Sequence, residues 1–207
     1  MADERNSADR RRTAILDAAE LSFVRRGFHR TTMQNVATEA GMSPGNLYRY
    51  FPSKEAIVEG LTERERAKYM ADFEALEHAP PSIALLEEIA RGYLLHEPRA
   101  KKIMDLEIWA ESTRNPALTT LCQSVQREVD NHLVRYLERL RDSGLAAPDV
   151  DPRRVLDMVS LMVDGLALRV ATDPECDTEA RLAMVLMVFR AALAGGIRSC
   201  LSEKVSA

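Results

Sequence analysis

Apolar residues recur along most of this chain at the three- and four-residue steps of an α-helix. In residues 9–26, Leu16, Ala19 and Phe23 form one apolar stripe, and Gly27 follows as a helix stop. The sustained apolar–polar alternation that indicates strands is almost absent. The pattern therefore predicts an all-α protein.

Two very short helices are predicted after the first one. The earlier covers residues 33–40, with a capping box formed by the Thr31 hydroxyl and the Gln34 amide. The later covers residues 44–50 and has Ser43 as its cap. Two such helices packed behind a longer first helix are typical of a helix-turn-helix.

Longer helices are predicted beyond this point. One runs from the Ser53 cap to the break at Pro80 and Pro81. Five more are predicted over residues 82–95, 99–113, 116–143, 152–171 and 178–201. We divide the chain into a head of residues 1–54 and a helical body of residues 55–207.

Composition excludes several classes of protein. With 207 residues, 46% hydrophobic and 29% charged, the chain can bury a sizeable core and is not a disordered polymer. No stretch approaches the about 18 continuous apolar residues of a membrane span. The first thirty residues lack the apolar centre of a secretion signal. Three cysteines without disulfide or metal spacing fit a reducing compartment, so we expect a cytoplasmic protein with no membrane partner.

Charge is distributed unevenly between the two ends. Residues 1–54 carry nine Lys and Arg against six Asp and Glu, whereas the rest carries 19 against 26. A basic head on an acidic body indicates that the head binds a polyanion.

Residues 31–55 resemble the DNA-binding head of the TetR (tetracycline-repressor) family, and read TTMQNVATEAGMSPGNLYRYFPSKE. The shared features are a Thr before the second helix, a Val-Ala pair and Ala-Gly at the turn. They continue as Ser-x-Gly-x-Leu-Tyr-x-Tyr-Phe and Ser-Lys-Glu. With the preceding helix the resemblance covers about residues 10–60. The segment MVDGLALR, residues 162–169, is similar to a helix of relatives near the choline-responsive BetI type.

The resemblance implies three head helices, a linking fourth helix, and a body that binds ligand and dimerises. It implies a homodimer on double-stranded DNA with a palindromic operator, released by a small-molecule effector that the sequence does not identify. The leading hypothesis is therefore a transcriptional repressor. The alternative is a helical DNA-binding or interaction protein that a protein partner controls, with no small ligand.

Residues 44–50 are the candidate recognition helix. The candidate DNA-binding residues lie on this helix or near it in the sequence. Leu47 and Phe51 are assigned to the core, because they form an i, i+4 apolar pair. The candidate DNA-binding residues are Thr32, Ser43, Pro44, Gly45, Asn46, Tyr48, Arg49, Tyr50 and Lys54.

Different members of this set suit different parts of DNA. Thr32, Tyr48, Tyr50 and Lys54 can hold phosphates, which fixes position without reading sequence. Arg49 can pair bidentately with a guanine edge, and the start of the helix at Pro44 and Gly45 can approach the bases closely. Arg10, Arg11 and Arg12 are either a basic arm that reaches DNA or a solvated tail.

The body offers candidate effector-binding residues of two kinds. Methionines and the single tryptophan would form an adaptable apolar wall, and carboxylates would attract a cation. The candidates are Tyr93, Met104, Glu107, Ile108, Trp109, Val125, Met158, Met162 and Asp164. Plain core packing is the alternative role for each of them.

Motifs of catalysis and metal binding are absent from the sequence. It contains no phosphate-cradling loop, nucleophile elbow or His-Glu-x-x-His. Its four histidines show no i, i+4 pairing. We therefore expect no enzyme activity, no cofactor and no metal.

The last two helices are apolar on nearly all sides. Residues 155–171 contain few strongly polar side chains, and residues 182–189 contain none. Such helices need cover on both sides, and the same two helices of a second copy would supply it as a four-helix interface. The small residues of 191–196 would allow close approach there.

Overall fold

The computed structural model describes residues 2–196, and every regular element within them is a helix, which confirms the all-α class. The elements are α1 (Ala2–Arg26), α2 (Met33–Glu39), α3 (Pro44–Tyr50), α4 (Lys54–His78), α5 (Ile83–Arg91), a π-helical turn (Gly92–His96), α6 (Arg99–Ser112), α7 (Pro116–Asp142), α8 (Pro152–Thr172) and α9 (Thr178–Leu193). The end of the helix expected at 178–201 lies outside the described residues. None of the described helices is long and apolar enough to cross a membrane.

The helices form two compact units. The head unit comprises the residues up to Tyr69 together with Ile103–Ser124. The body unit comprises Met70–Lys102 and the residues from Val125 onward. Helices α4, α6 and α7 each contribute residues to both units. Each unit is therefore made of two separate stretches of sequence, unlike the head and body divided at residue 54.

The core of the head unit includes residues from well beyond the head sequence. Leu47 and Phe51 are 0% and 1% exposed, which confirms their assignment to the core. Met104 and Ile108 of α6 are buried in the same cluster, together with Leu118 of α7. Part of α6 is therefore an integral component of the unit that contains the helix-turn-helix.

The first helix is longer than the sequence pattern indicates. It begins at Ala2 rather than at residue 9, where its apolar stripe starts. The intervening residues contain neither Gly nor Pro, so nothing in them stops a helix. Consequently Arg10, Arg11 and Arg12 are helical and do not form an extended tail.

The capping box of α2 lies one residue later than expected. Thr32, not Thr31, accepts the amide N–H of Asn35 with its hydroxyl, at 3.2 Å, and the Asn35 side chain accepts the Thr32 N–H at 3.0 Å. The Thr31 hydroxyl is buried and donates to the carbonyls of Ser22 and Gly27, at 3.1 Å and 2.8 Å. The expected Thr31–Gln34 box is wrong, because Thr31 already uses its hydroxyl inside the core.

The body unit contains a π-helical turn where a regular helix was expected at residues 82–95. Its carbonyl at Tyr93 accepts a hydrogen bond from Lys102 Nζ at 2.6 Å, and Lys102 is buried. In the same unit the carboxylate of buried Glu87 accepts hydrogen bonds from Arg190, which lowers the pKa of Glu87 from its ordinary value. Buried charged groups of this unit are thus paired.

One side of α8 and α9 remains exposed and apolar. On α8, Leu161 is 75% exposed and Leu168 lies on the same side, with exposed Gly165 between them. On α9, Met184 and Met187 are 61% and 63% exposed. We call these five residues the apolar face; four of them are large apolar side chains exposed to solvent.

Candidate nucleic-acid interface

Helix α3 separates a buried side from an exposed one. Its cap is Ser43, whose hydroxyl accepts the amide N–H of Asn46 at 3.3 Å. Leu47 points into the core, while Gly45, Tyr48 and Arg49 are exposed. These three residues follow i, i+3, i+4 spacing and therefore share one face of the helix. We call them the α3 face.

Other candidate residues have roles inside the protein. The hydroxyls of Thr32 and Ser43 form the caps of α2 and α3. Tyr50 is half-buried and packs against the head core, and Pro44 and Asn46 are half-buried at the start of α3. The structure thus gathers the α3 face as a surface and uses its neighbours mainly to build the motif.

Lys54 binds the turn between α1 and α2. Its Nζ donates to the carbonyl of Phe28 at 2.8 Å and to that of Thr31 at 3.3 Å, and lies 4.2 Å from the centre of the Phe28 ring. Burial lowers the pKa of Lys54, opposed by the charges of Glu55 and Glu111. A phosphate contact by Lys54 remains a prediction, and sequence analysis missed this internal role.

The carboxylate of Glu107 binds the backbone of the same residue, Phe28, at its other polar group. It accepts the amide N–H of Phe28. The preceding Gly27 has φ +81°, and a Cβ there would lie 2.9 Å from Glu107 Oε1. Glycine is therefore required twice, by the backbone conformation and by the approach of the carboxylate. Sequence analysis assigned Glu107 to effector binding and missed this contact.

Of the arginines 10–12 of α1, Arg12 lies against the helix-turn-helix. The Arg12 guanidinium lies 4.4 Å from the centre of the Phe51 ring, at the end of α3. This stacking holds Arg12 beside the motif.

The candidate effector residues are distributed over both units. Met104, Glu107, Ile108 and Trp109 belong to the head unit, and the others belong to the body unit. Met104 and Ile108 are buried in the head core, whereas Trp109 is 40% exposed.

In the body unit the candidates divide again. Tyr93 and Met162 pack against the same apolar core, and Val125 and Met158 are half-buried. Asp164 is exposed, and residues two apart on a helix point in nearly opposite directions, so Asp164 and Met162 lie on opposite sides of α8. Desolvation, and then the negative charge of Asp130, raises the pKa of Asp164.

Lys54→Met should lower the free energy of unfolding in the absence of DNA by about 1–2 kcal/mol, because the Phe28 and Thr31 carbonyls lose a charged donor. Urea denaturation of the full chain measures this. Lys68→Met is the matched control: Lys68 also lies on α4, but its ion pair with Glu65 is at the surface, and its loss should change little. Equal stability of the two variants would contradict the role of Lys54.

Comparison with known proteins identifies relatives over almost the whole chain. Residues 15–61 match the family model described as bacterial regulatory proteins, tetR family. Residues 82–195 match the model described as BetI-type transcriptional repressor, C-terminal. The HTH-type transcriptional regulator UidR of Escherichia coli strain K12 is 28% identical over 185 residues, which cover 89% of this chain and 91% of UidR.

Solved structures show the same fold. FadR from Bacillus subtilis, in complex with stearoyl-CoA, has a TM-score of 0.75 at 22% identity and covers 87% of this chain and 98% of FadR. A putative transcriptional regulator from Saccharomonospora viridis, in complex with choline, has a TM-score of 0.73 at 22% identity, covering 84% and 92%.

The family follows from these matches together with the head geometry. The BetI-type model alone spans more than half of the chain, and the tetR model covers the helix-turn-helix. The α3 face lies within the matched head residues. This chain therefore belongs to the TetR family of DNA-binding transcriptional regulators, with a C-terminal domain of the BetI type.

Proposed function

We propose that this chain is a cytoplasmic repressor that binds a palindromic operator as a homodimer and leaves it when a small molecule binds the body. The observation that carries the proposal is the α3 face, where Gly45, Tyr48 and Arg49 stand exposed opposite buried Leu47. A helix with one anchored side and one side of small, hydroxyl and guanidinium groups suits the major groove.

The head residues take different roles on DNA. Arg49 and the helix start at Pro44 and Gly45 meet base edges. Tyr48 donates its hydroxyl to a phosphate, since a phenol at the rim of the groove reaches the backbone. Further contacts to the DNA backbone come from residues that also make contacts within the protein. These residues are Thr32, Ser43, Asn46, Tyr50 and Lys54.

Arg49→Ala should weaken binding to the operator by about 1–3 kcal/mol and weaken binding to scrambled DNA less, because a lost bidentate guanine contact removes specificity. The measurement is titration of both duplexes at two salt concentrations, with the operator selected from random duplexes by the wild type. Arg127→Ala, an exposed arginine on α7, is the control for loss of one positive charge. Equal losses on both duplexes would make Arg49 a phosphate contact.

The homodimer forms through the apolar face. Leu161 and Leu168 of α8 and Met184 and Met187 of α9 are large apolar side chains without cover in one chain. A two-fold axis brings the same face of a second copy onto them and buries both. The exposed small residue Gly165 lets the helices approach closely.

Met184→Glu combined with Leu161→Glu should convert the dimer to a monomer, since four carboxylates would be buried at a two-fold interface. Light scattering at micromolar concentration gives the mass, and operator affinity should fall with it. The control is Leu145→Glu, which places the same charge on a 46% exposed leucine outside the apolar face. A wild-type protein of monomeric mass would refute the proposed dimer.

The effector is a small molecule bound in the body, as the complexes of two structural neighbours with stearoyl-CoA and choline suggest. Tyr93 and Met162, which pack on one core, suit an apolar ligand. Asp164 suits a cation, because a cation would stabilise the charged form that desolvation disfavours. The partner-controlled alternative needs neither group.

Trp109 offers a direct test of effector release. It is the only tryptophan of the chain and is 40% exposed, so the emission reports α6 alone. Acyl-CoA and quaternary ammonium compounds are titrated against the operator complex and, separately, against the free protein while emission is recorded. A compound that releases DNA should also shift the emission, with Trp109→Phe as the blank. Release without any shift would contradict the placement of Trp109 near the effector, and release only by a protein fraction would favour the alternative.

A further inference from the structure

We propose that Glu107 of α6 is a positioning residue for DNA binding, because its carboxylate holds the α1–α2 turn from which the helix-turn-helix starts. The proposal rests on the proposed operator binding. It moves Glu107 from the candidate effector site to the support of the head. Glu107 does not contact DNA in this role; it acts through the backbone of Phe28.

In the turn of residues 27–31 the N–H groups of Gly27 and Thr31 donate to the carbonyls of Phe23 and Gly27, at 2.8 Å and 3.2 Å, whereas the N–H and carbonyl of Phe28 have side-chain partners. Phe28 receives two charged ones. Glu107 accepts its N–H, and Lys54 Nζ donates to its carbonyl at 2.8 Å. The Phe28 ring is 2% exposed, which fixes the residue from a third direction. The N–H and the carbonyl of one residue, in two successive peptide units, are thereby held by an anion from α6 and a cation from α4.

Gly27 shows that the carboxylate is a fitted part of the turn. Its φ of +81° permits the chain to reverse after α1, and its missing Cβ leaves room for Glu107 Oε1. Any side chain there would need Glu107 to withdraw. The positive φ is the main reason for glycine here, and the missing Cβ lets the flexible Glu107 carboxylate reach the Phe28 N–H without shifting.

The turn of residues 27–31 determines where α2 begins. Thr31 donates to the carbonyls of Ser22 and Gly27 and is buried, and Thr32 immediately afterwards caps α2. Only a short turn separates α2 from α3. A shift of residues 27–31 therefore changes the position from which both helices of the motif start.

Glu111 provides a matched control one turn further along α6. Its carboxylate lies 3.2 Å from Nε2 of His29, a side chain of the same turn, and 3.1 Å from Nε of Arg114, just after α6. Glu111→Gln removes the same charge as Glu107→Gln and leaves the Glu107 carboxylate, which accepts the Phe28 N–H, unchanged. The pair separates the hydrogen bond to Phe28 from the general repulsion between an acid and DNA.

The experiment combines two measurements on the full-length wild type and on Glu107→Ala, Glu107→Gln and Glu111→Gln. Hydrogen exchange by mass spectrometry reports residues 27–31 in the free protein, with α8 as the internal reference. Titration of a duplex selected by the wild type from a random pool, and of its scrambled version, reports DNA affinity. Circular dichroism melting shows that each variant is folded.

We expect Glu107→Ala to exchange residues 27–31 faster and to bind the selected duplex about tenfold more weakly, the effect of one lost charge-assisted hydrogen bond. Glu107→Gln keeps an acceptor oxygen. Its exchange rate at residues 27–31 and its DNA affinity should therefore lie between those of Glu107→Ala and those of the wild type. Glu111→Gln should keep the protection at Phe28 and bind DNA as well as the wild type or better. If Glu107→Ala fails to fold, Glu107→Gln decides by the same criteria.

Two results would overturn the proposal. One is unchanged exchange of residues 27–31 in both Glu107 variants. The other is faster exchange with DNA affinity equal to that of Glu111→Gln, since the turn would then not matter for binding. A wild type that selects no duplex at all refutes the proposed operator binding instead, and the exchange data still report whether Glu107 holds the turn.

Discussion

The peptide at Phe28 carries the constraint on which the head depends. A chain that reverses between two helices leaves backbone N–H and carbonyl groups without helical partners, and a buried site offers no water in exchange. Here two charged side chains fill that need, Lys54 at the carbonyl and Glu107 at the N–H. Both come from helices that follow the motif in sequence. The helix-turn-helix is thus completed by residues outside it, which explains why the head unit includes part of α6.

The residues that build the motif are largely distinct from the residues that can recognise DNA. Thr32 and Ser43 use their hydroxyls as helix caps, and Lys54 uses its ammonium group on the turn. Each of these groups is already paired within the protein, so the proposed phosphate contacts are made in addition to those internal ones. Tyr48 and Arg49 are exposed on the α3 face, where Arg49 is able to turn towards bases and Tyr48 towards a phosphate. Specificity rests on few side chains because the fold occupies the others.

Local sequence patterns predicted much of the head. They could not predict contacts between residues that lie far apart in the sequence. Burial of Leu47 and the cap at Ser43 follow from spacing and residue type within one helical turn. The one-residue error at Thr31 arose because two adjacent threonines fit a cap equally well, and only the packing against α1 distinguishes them. The contact between Glu107 and Phe28 spans 79 residues, and no periodicity encodes such a pairing.

Helix α8 shows why effector chemistry is harder to assign than DNA binding. One side of α8 packs on the core of the body unit. The exposed Leu161 and Leu168 lie on the opposite side of the helix. Two flanks remain, with Met162 towards the core that includes Tyr93 and Asp164 on the other side, near Asp130. An apolar ligand and a cation would therefore use different flanks. The charge of the effector determines which side of α8 forms its site.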